Sequence, residues 1–435
     1  MFDTITLRPG YEKPASSAFP EDWTVSRLDE LCTFHQGGKL GITKSSGYVT
    51  SGAPAYSAAG QDGYVGRVEF SNTDGVVLSA IGANCGRCFF ASGDWTTLAN
   101  VQAIIPSPSK LDAKYLYYRV NRESYWPRSG SAQPFIKPSD VRSCWVAHPP
   151  IRQQKLIAHI LDTLDTQVQK TEALIAKLEK VKEGLLHDLL TRGIDENGRL
   201  RPSPEQAPEL YKESPLGLIP REWVPSSGAQ ACKEIVVGIV IKPTQYYRAS
   251  GVPILRSANV RENRLSLDNL MYMSQQDHKA MSKSSVSPGD VLTVRTGYPG
   301  TSCVVDGSLE EANCVDIIIS RVGEGLDPNF WALWINSDFG KGHVLKSQGG
   351  LAQQHFNVGD LKKIQLPIPA MPEQLKIVGT WGALQEQIQK ESTRLEKLQL
   401  QKTGLMDDLL TGRVRVTPLL DQAQAQAQAQ ATTPA

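Results

Sequence analysis

The chain has 435 residues, about three times the usual domain of roughly 150, so one small domain is excluded and two or three globular units are expected. With 40% hydrophobic and 21% charged residues, wholesale disorder is excluded too, and 36 Gly with 27 Pro indicate many turns. The formal net charge of +1 argues against a non-specific nucleic-acid binder working alone, though not against a reader of base edges whose partner clamps the phosphates.

No run approaches the ~20 apolar residues of a membrane-spanning helix, and Met1-Phe2-Asp3-Thr4 does not open like a signal peptide, so a cytoplasmic location is expected. The seven cysteines are odd in number and scattered, which predicts reduced thiols rather than a disulfide framework.

Taken in chain order, residues 1–149 read as a first globule, rich in short strands. It opens with Pro20-Glu21-Asp22-Trp23. Gly75–Gly82 and Asn100–Ile105 are apolar strand candidates separated by Gly-rich turns, and Tyr115–Asn121 reads as a short helix. Residues 150–193 carry a long helix. Its positions Ile157, Leu161, Leu164, Val168, Thr171, Ile175 and Leu178 alternate four and three apart, the spacing of a coiled-coil seam. A proline-rich linker, 194–219, leads to a second globule at 220–368, which opens with Pro220-Arg221-Glu222-Trp223 and repeats the pattern of the first. Gly289-Asp290-Val291-Leu292-Thr293 answers Gly75-Val76-Val77-Leu78-Ser79, and Phe330–Asn336 is the counterpart helix.

A second long helix, 369–413, has the seam Ile377, Trp381, Leu384, Ile388, Glu391, Leu395 and Leu398, and a low-complexity tail fills 414–435. The two helices match without a gap at an offset of 220, from Gln154 and Gln374 to the identical Asp-Leu-Leu-Thr runs ending at Thr191 and Thr411. Where Lys182 and Lys402 fall, a stutter in the seam is expected. Each helix would extend about 55–60 Å. Only a globule lies between the end of the first and the start of the second, so antiparallel pairing is the economical arrangement. The fold class is therefore α+β: two β-rich domains, each followed by a long helix, the helices forming an antiparallel coiled coil with pseudo-twofold symmetry.

Catalytic signatures are lacking. There is no Phe-x-Gly-x-Gly loop or Asn-Pro-Pro-aromatic segment for adenine methylation, and no phosphate-cradling Gly-x-x-x-x-Gly-Lys-Ser/Thr. Lone aspartates such as Asp290 and Asp316 are more often solvated or capping than catalytic. Cys85-x-x-Cys88 has the spacing of half a zinc site but lacks a second pair, so buried thiols are the expectation and no metal is assigned.

The order of globules and helices resembles the specificity subunit of bacterial type I restriction–modification systems. The resemblance covers nearly the whole chain. It is carried by Tyr211-Lys-Glu-Ser-Pro-Leu-Gly-Leu-Ile-Pro-Arg-Glu-Trp223, Gly130-Ser-Ala-Gln-Pro-Phe135, Pro149-Pro-Ile-Arg-Gln-Gln-Lys155 and Leu189-Leu-Thr-Arg-Gly193. In the second copy, Leu351 stands where the family favours a small hydroxyl residue. The resemblance implies two target-recognition domains (1–149 and 220–368) separated by spacer helices (150–193 and 369–413). It further implies a non-catalytic chain that binds double-stranded DNA, two methyltransferase subunits and motor-nuclease restriction subunits. S-adenosylmethionine, ATP and Mg²⁺ would then belong to the partners.

Bases are told apart by paired hydrogen bonds, Arg or Lys to guanine and Asn or Gln to adenine. The candidate readers in the first globule are Gln61, Tyr64, Arg67, Asn84 and Arg87, with Arg128, Ser131, Gln133 and Lys137 in the loop before the helix. In the second they are Arg295, Thr296, Tyr298, Lys346, Gln348, Gln353, Gln354 and His355. Any single surface Arg or Gln is more often merely solvated; the pre-helix loops stand out because they recur in both copies. Tyr115, Tyr117, Tyr118, Trp331 and Trp334 are better read as core, and Trp23 and Trp223 as packing anchors. The rival readings are a protein-interaction adaptor scaffolded by the coiled coil and an enzyme with an unrecognised nuclease site.

Overall fold

The computed structural model describes residues 9–43, 47–130, 132–347 and 356–431. The chain divides into two compact units, Met1–Ala173 with Ser392–Ala435 (unit 1) and Leu174–Glu391 (unit 2).

In unit 1 a four-stranded antiparallel sheet has the order Cys32–Gln36, Val101–Pro106, Gly75–Ser79, Cys88–Ala91. Its central strands are apolar at nearly every position because both faces are covered. Val76, Leu78 and Ile104 face the helix Ala113–Val120, whereas Val77, Val101 and Ala103 face Phe70 and Trp95 on the other side. Tyr115 and Tyr118 are buried in this core, and the Tyr115 hydroxyl donates to the Ala147 carbonyl at 3.0 Å. A second sheet orders Tyr48–Val49, Gly60–Val65, Ala53–Ser57, Thr96–Thr97, and a two-stranded ladder pairs Thr24–Arg27 with Trp145–His148.

Unit 2 repeats this plan. Its first sheet runs Cys232–Val237, Ile317–Val322, Val291–Val294, Ser302–Val304; its second runs Met271–Met273, Val252–Leu255, Ala312–Cys314, Ser285–Val286. The helix Pro328–Asn336 buries Phe330, Trp331 and Trp334 as Ala113–Val120 buries Tyr115 and Tyr118. The segment read as a linker is itself folded, with a hairpin pairing Tyr211–Ser214 to Gly217–Pro220 and burying Tyr211 and Ile219. The low-complexity tail carries a helix, Thr417–Ala431.

Register corrects one correspondence between the copies. The Ile136 N–H donates to the Ala80 carbonyl, and the Phe356 N–H to that of Arg295; Ser79 pairs with Val101 and Val294 with Ile317. Val76 therefore corresponds to Val291 and Ala80 to Arg295, one residue away from the match made on Gly75 and Gly289. A strand buried on both faces has no polar alternation to fix its phase, so a one-residue slip leaves no mark in the sequence.

The long helices span Ile151–Thr191 and Met371–Thr411. In unit 1 the start of the first (Ile157, Leu161) shares a core with the end of the second (Leu409, Leu410); in unit 2 Leu189 and Leu190 share one with Ile377. The pairing is antiparallel in both places. No stutter is seen at the lysines. Burial keeps its four-three rhythm through Lys182 and Lys402, which sit half-buried in the seam and use their ammonium groups across it. Lys402 forms an ion pair with Asp165, and Lys182 donates to Gln385 at 3.2 Å.

The identical glutamines at the helix starts do identical work. Gln154, fully buried, donates to the carbonyls of Lys110 (3.0 Å) and Pro149 (2.8 Å) and accepts from the Asp112 N–H at 2.8 Å. Gln374 makes the same three bonds with Gly325, Pro369 and Asp327. Both aspartates then cap the core helices, accepting from the Tyr115 and Phe330 N–H groups. Each helix thus starts pinned to its globule.

His148 lies beside this clamp, 3.5 Å from both Ser26 Oγ and Gln154 Nε2. Burial holds its imidazole below the ordinary value, with hydrogen bonding at Pro149 opposing in part. The unfolded chain takes up a proton near pH 6.5, whereas the folded chain resists it. Its contribution is complete above that pH and is lost as pH falls through ~6.5 toward the depressed folded value. Denaturation midpoints from pH 7.5 to 5 should show this loss in the native chain and a flatter profile in His148→Gln.

Candidate nucleic-acid interface

In unit 1 three loops form one connected platform. The turn after Gly75–Ser79 and the hairpin before the first long helix are joined by bonds from Ile136 N–H to Ala80 O and Gly82 N–H to Pro134 O, both 2.9 Å. The hairpin closes on itself through reciprocal 2.9 Å bonds between Ser129 and Phe135. Asn100 adds the third loop. It sits at φ +68°, a left-handed conformation that asparagine tolerates, and its carbonyl accepts from the Ala80 N–H at 3.0 Å. A cavity of about 350 Å³ opens between these loops.

The candidate readers of unit 1 fall into three groups. Gln133 and Lys137 are exposed and line that cavity. Arg87 and Arg128 converge on Glu123, at 3.8 and 2.8 Å, with Asn84 in the turn leading to Arg87. Gln61 and Tyr64 stand exposed on the strand Gly60–Val65, with Arg67 exposed just beyond it. Ser131 lies outside the described residues. Sequence reasoning missed Gln36, Asn100 and Gln102, which share the cavity with Gln133. Gln36 and Gln102 occupy facing positions of two strands, and Asn100 directly precedes the second, so they did not look like loop residues. The Gln36-Gly37-Gly38 sequence was the available signal.

In unit 2 the corresponding turn is tied by charge. Arg295 Nη1 donates to Asp316 Oδ1 at 2.7 Å, its Nε reaches the Phe356 carbonyl at 3.3 Å, and Thr296 Oγ1 donates to Asp316 Oδ2 at 2.9 Å. Asp316 holds φ +53° at the place of Asn100. Arg295 and Thr296 are thus oriented by a carboxylate, whereas Tyr298 is 81% exposed at the tip of the turn. Gln348, Gln353, Gln354, His355 and the Lys346 side chain lie outside the described residues.

Asp290, Cys85 and Cys88 are held by bonds within the fold. Asp290 accepts from the Ser287 N–H and faces Arg321 at 3.6 Å; burial raises its carboxyl. Cys85 and Cys88 donate to the Ala80 and Val120 carbonyls, and burial pushes both thiols up. Among the described residues no group of three or more His, Cys, Asp or Glu is placed to hold a metal ion, and no helix is long and apolar enough to cross a membrane.

Residues 20–180 match the family described as the type I restriction modification DNA specificity domain. The specificity subunit of the MjaVIII type I restriction enzyme of Methanocaldococcus jannaschii is 24% identical over 92% of this chain and 95% of its own length. That of the EcoBI enzyme of Escherichia coli is 26% identical over 53% of this chain and 49% of its own. Among solved structures, the S subunit of a type I restriction–modification system from M. genitalium aligns over 92% of this chain and 98% of its own, with a TM-score of 0.59 at 14% identity. It shares the fold.

Proposed function

Starting from these matches, which make the chain a type I restriction–modification specificity subunit, we propose that it reads a bipartite, asymmetric DNA site, one globule per half-site. The observation that carries this reading is the duplication itself. One sheet order, one glutamine clamp and one helix pairing occur twice, whereas the turns after the equivalent strands differ in chemistry, amides in unit 1 and an arginine–aspartate pair in unit 2. A conserved frame with divergent loops suits a protein that must place two different readers on one duplex. The antiparallel helices set the distance between them, and half-sites about one turn (~34 Å) apart suit a pseudo-twofold reader.

The chain has no catalysis of its own in this reading. Two methyltransferase subunits bind along the helices and recognition domains and carry S-adenosylmethionine; motor-nuclease subunits carry ATP and Mg²⁺. The methyltransferases supply most phosphate contacts, which fits a near-neutral chain and predicts weak DNA binding by the isolated protein.

Mapping methylated adenines across the genome of a host that expresses this chain with its methyltransferase, against one lacking this chain, tests the proposal. A new split motif, two short halves around a fixed gap, is the expected result. No new motif, with the methyltransferase active beside another specificity subunit, would favour the adaptor reading.

A further inference from the structure

The equivalence of Ala80 with Arg295, and of Asn100 with Asp316, separates the two units chemically. In unit 2 the long arginine side chain occupies the junction and pairs with the aspartate. In unit 1 the Ala80 methyl leaves the junction open, as the cavity of about 350 Å³. Gln36, Asn100, Gln102 and Gln133 line it, and at its rim Ile81 and Phe135 are each 37% exposed. These two apolar residues are paired across the loops by a β-bridge, so the rim is held by backbone.

Gln102 forms part of the wall and is only 4% exposed. Its Nε2 donates to the Ile136 carbonyl at 3.3 Å, which fixes the amide plane. Gln36 stands opposite it in the ladder and is exposed, as are Asn100 and Gln133. Four amides thus border one opening. An amide offers a donor and an acceptor side by side, the pattern that matches N6 and N7 of adenine in the major groove. The thymine paired with that adenine presents a methyl group, and the rim is apolar. Among the described residues no carboxylate lines the cavity to accept from cytosine N4, and the cation that does line it, Lys137, is exposed at the start of the helix Pro138–Ser143, where it suits a phosphate.

We propose that this cavity is a base-reading subsite of unit 1 and takes an A·T pair, with the glutamine amides on the adenine edge and Ile81 and Phe135 against the thymine methyl. The proposal rests on the function argued above. The full chain, expressed with its methyltransferase, is compared as wild type, Gln36→Ala, Gln133→Ala and Phe135→Ala by genome-wide mapping of methylated adenines. One half of the wild-type motif should contain an A·T pair distinct from the methylated one. The three variants should relax discrimination at that position by about tenfold or more, leaving the other half and the gap unchanged.

Gln133→Arg is the second probe. Its exposed position accommodates the longer side chain, and it should shift preference at the same position toward G·C. Relaxation at a G·C position, relaxation in the other half, or methylation by all four variants with unaltered specificity overturns the proposal. So does an equal loss at every position by variants whose thermal unfolding matches wild type. A wild-type chain that directs no split motif at all would instead remove the functional reading beneath it.

Discussion

Replacing Glu373 with alanine is expected to cost unit 2 about 3–5 kcal/mol, the range for removing one partner of a buried ion pair. Glu373 is 9% exposed and ties the turn after the first long helix and the Trp223 indole to the start of the second. It pairs with Arg201, accepts from the Trp223 indole N–H at 3.1 Å and accepts from the Ile194 backbone N–H at 2.9 Å. The alanine variant leaves the Trp223 and Ile194 N–H groups without their acceptor, and a largely buried guanidinium with only the Arg192 carbonyl at 3.1 Å and the exposed Glu222 at 3.6 Å. Unit 1 supplies the control. There Gln153 occupies the equivalent position and donates to Asp22, which also holds Arg415 at 2.7 Å on the surface. Gln153→Ala should cost about 1 kcal/mol, because the group it leaves behind remains hydrated and charge-paired. Urea denaturation of the full chain, followed by tryptophan fluorescence for the Trp223 environment, should separate the two; equal effects would mean that Glu373 is not the centre of its cluster.

A larger change is expected at the level of the target. Inserting one heptad at matching exposed sites of both long helices adds 7 residues at ~1.5 Å each, on the order of 10 Å. At ~3.4 Å per base pair that corresponds to roughly three base pairs. Both halves of the methylated motif should be retained and the gap between them should lengthen by about three. The heptad preserves the seam, so Lys402 still meets Asp165 and Lys182 still meets Gln385. A motif with an unchanged gap would show that the helices do not set the spacing. An insertion in one helix alone breaks the register and should abolish methylation.

The long helices and their pairing were legible because repetition marks them. Gln154 and Gln374 are identical since each must satisfy the same three buried backbone groups, a requirement no other side chain of that size meets. Trp23 and Trp223 were legible as anchors for the same reason, and they lie against the glycines that end the opposite helices. Gly193 and Gly412, at φ +67° and +76°, terminate the helices where a Cβ would strike Glu373 and Trp223 in one case and Pro20, with Trp23 close behind it, in the other.

What escaped the sequence depends on contacts distant in the chain. Arg295 and Asp316 are both ordinary surface residues until the fold brings them to 2.7 Å. Lys182 and Lys402 looked like breaks in the seam because periodicity counts their charge and not their apolar stems. Of the loop candidates, Gln133 and Lys137 line the cavity. Gln36 and Gln102 were missed because strand periodicity describes which face a side chain takes, not what opens beside the strand's end.

The interleaved path of the chain has a consequence for synthesis. Unit 2 is one uninterrupted stretch, Leu174–Glu391, whereas unit 1 draws its last pieces from Ser392 onward. As the ribosome proceeds, the first globule emerges early but lacks Leu409, Leu410 and Val416, which complete its core. At about 5–20 residues per second, the intervening stretch takes roughly 10–40 s to appear. The second unit can therefore close before the first, and the nascent first unit spends that interval with an apolar face exposed, available to chaperones or to a partner subunit that arrives early.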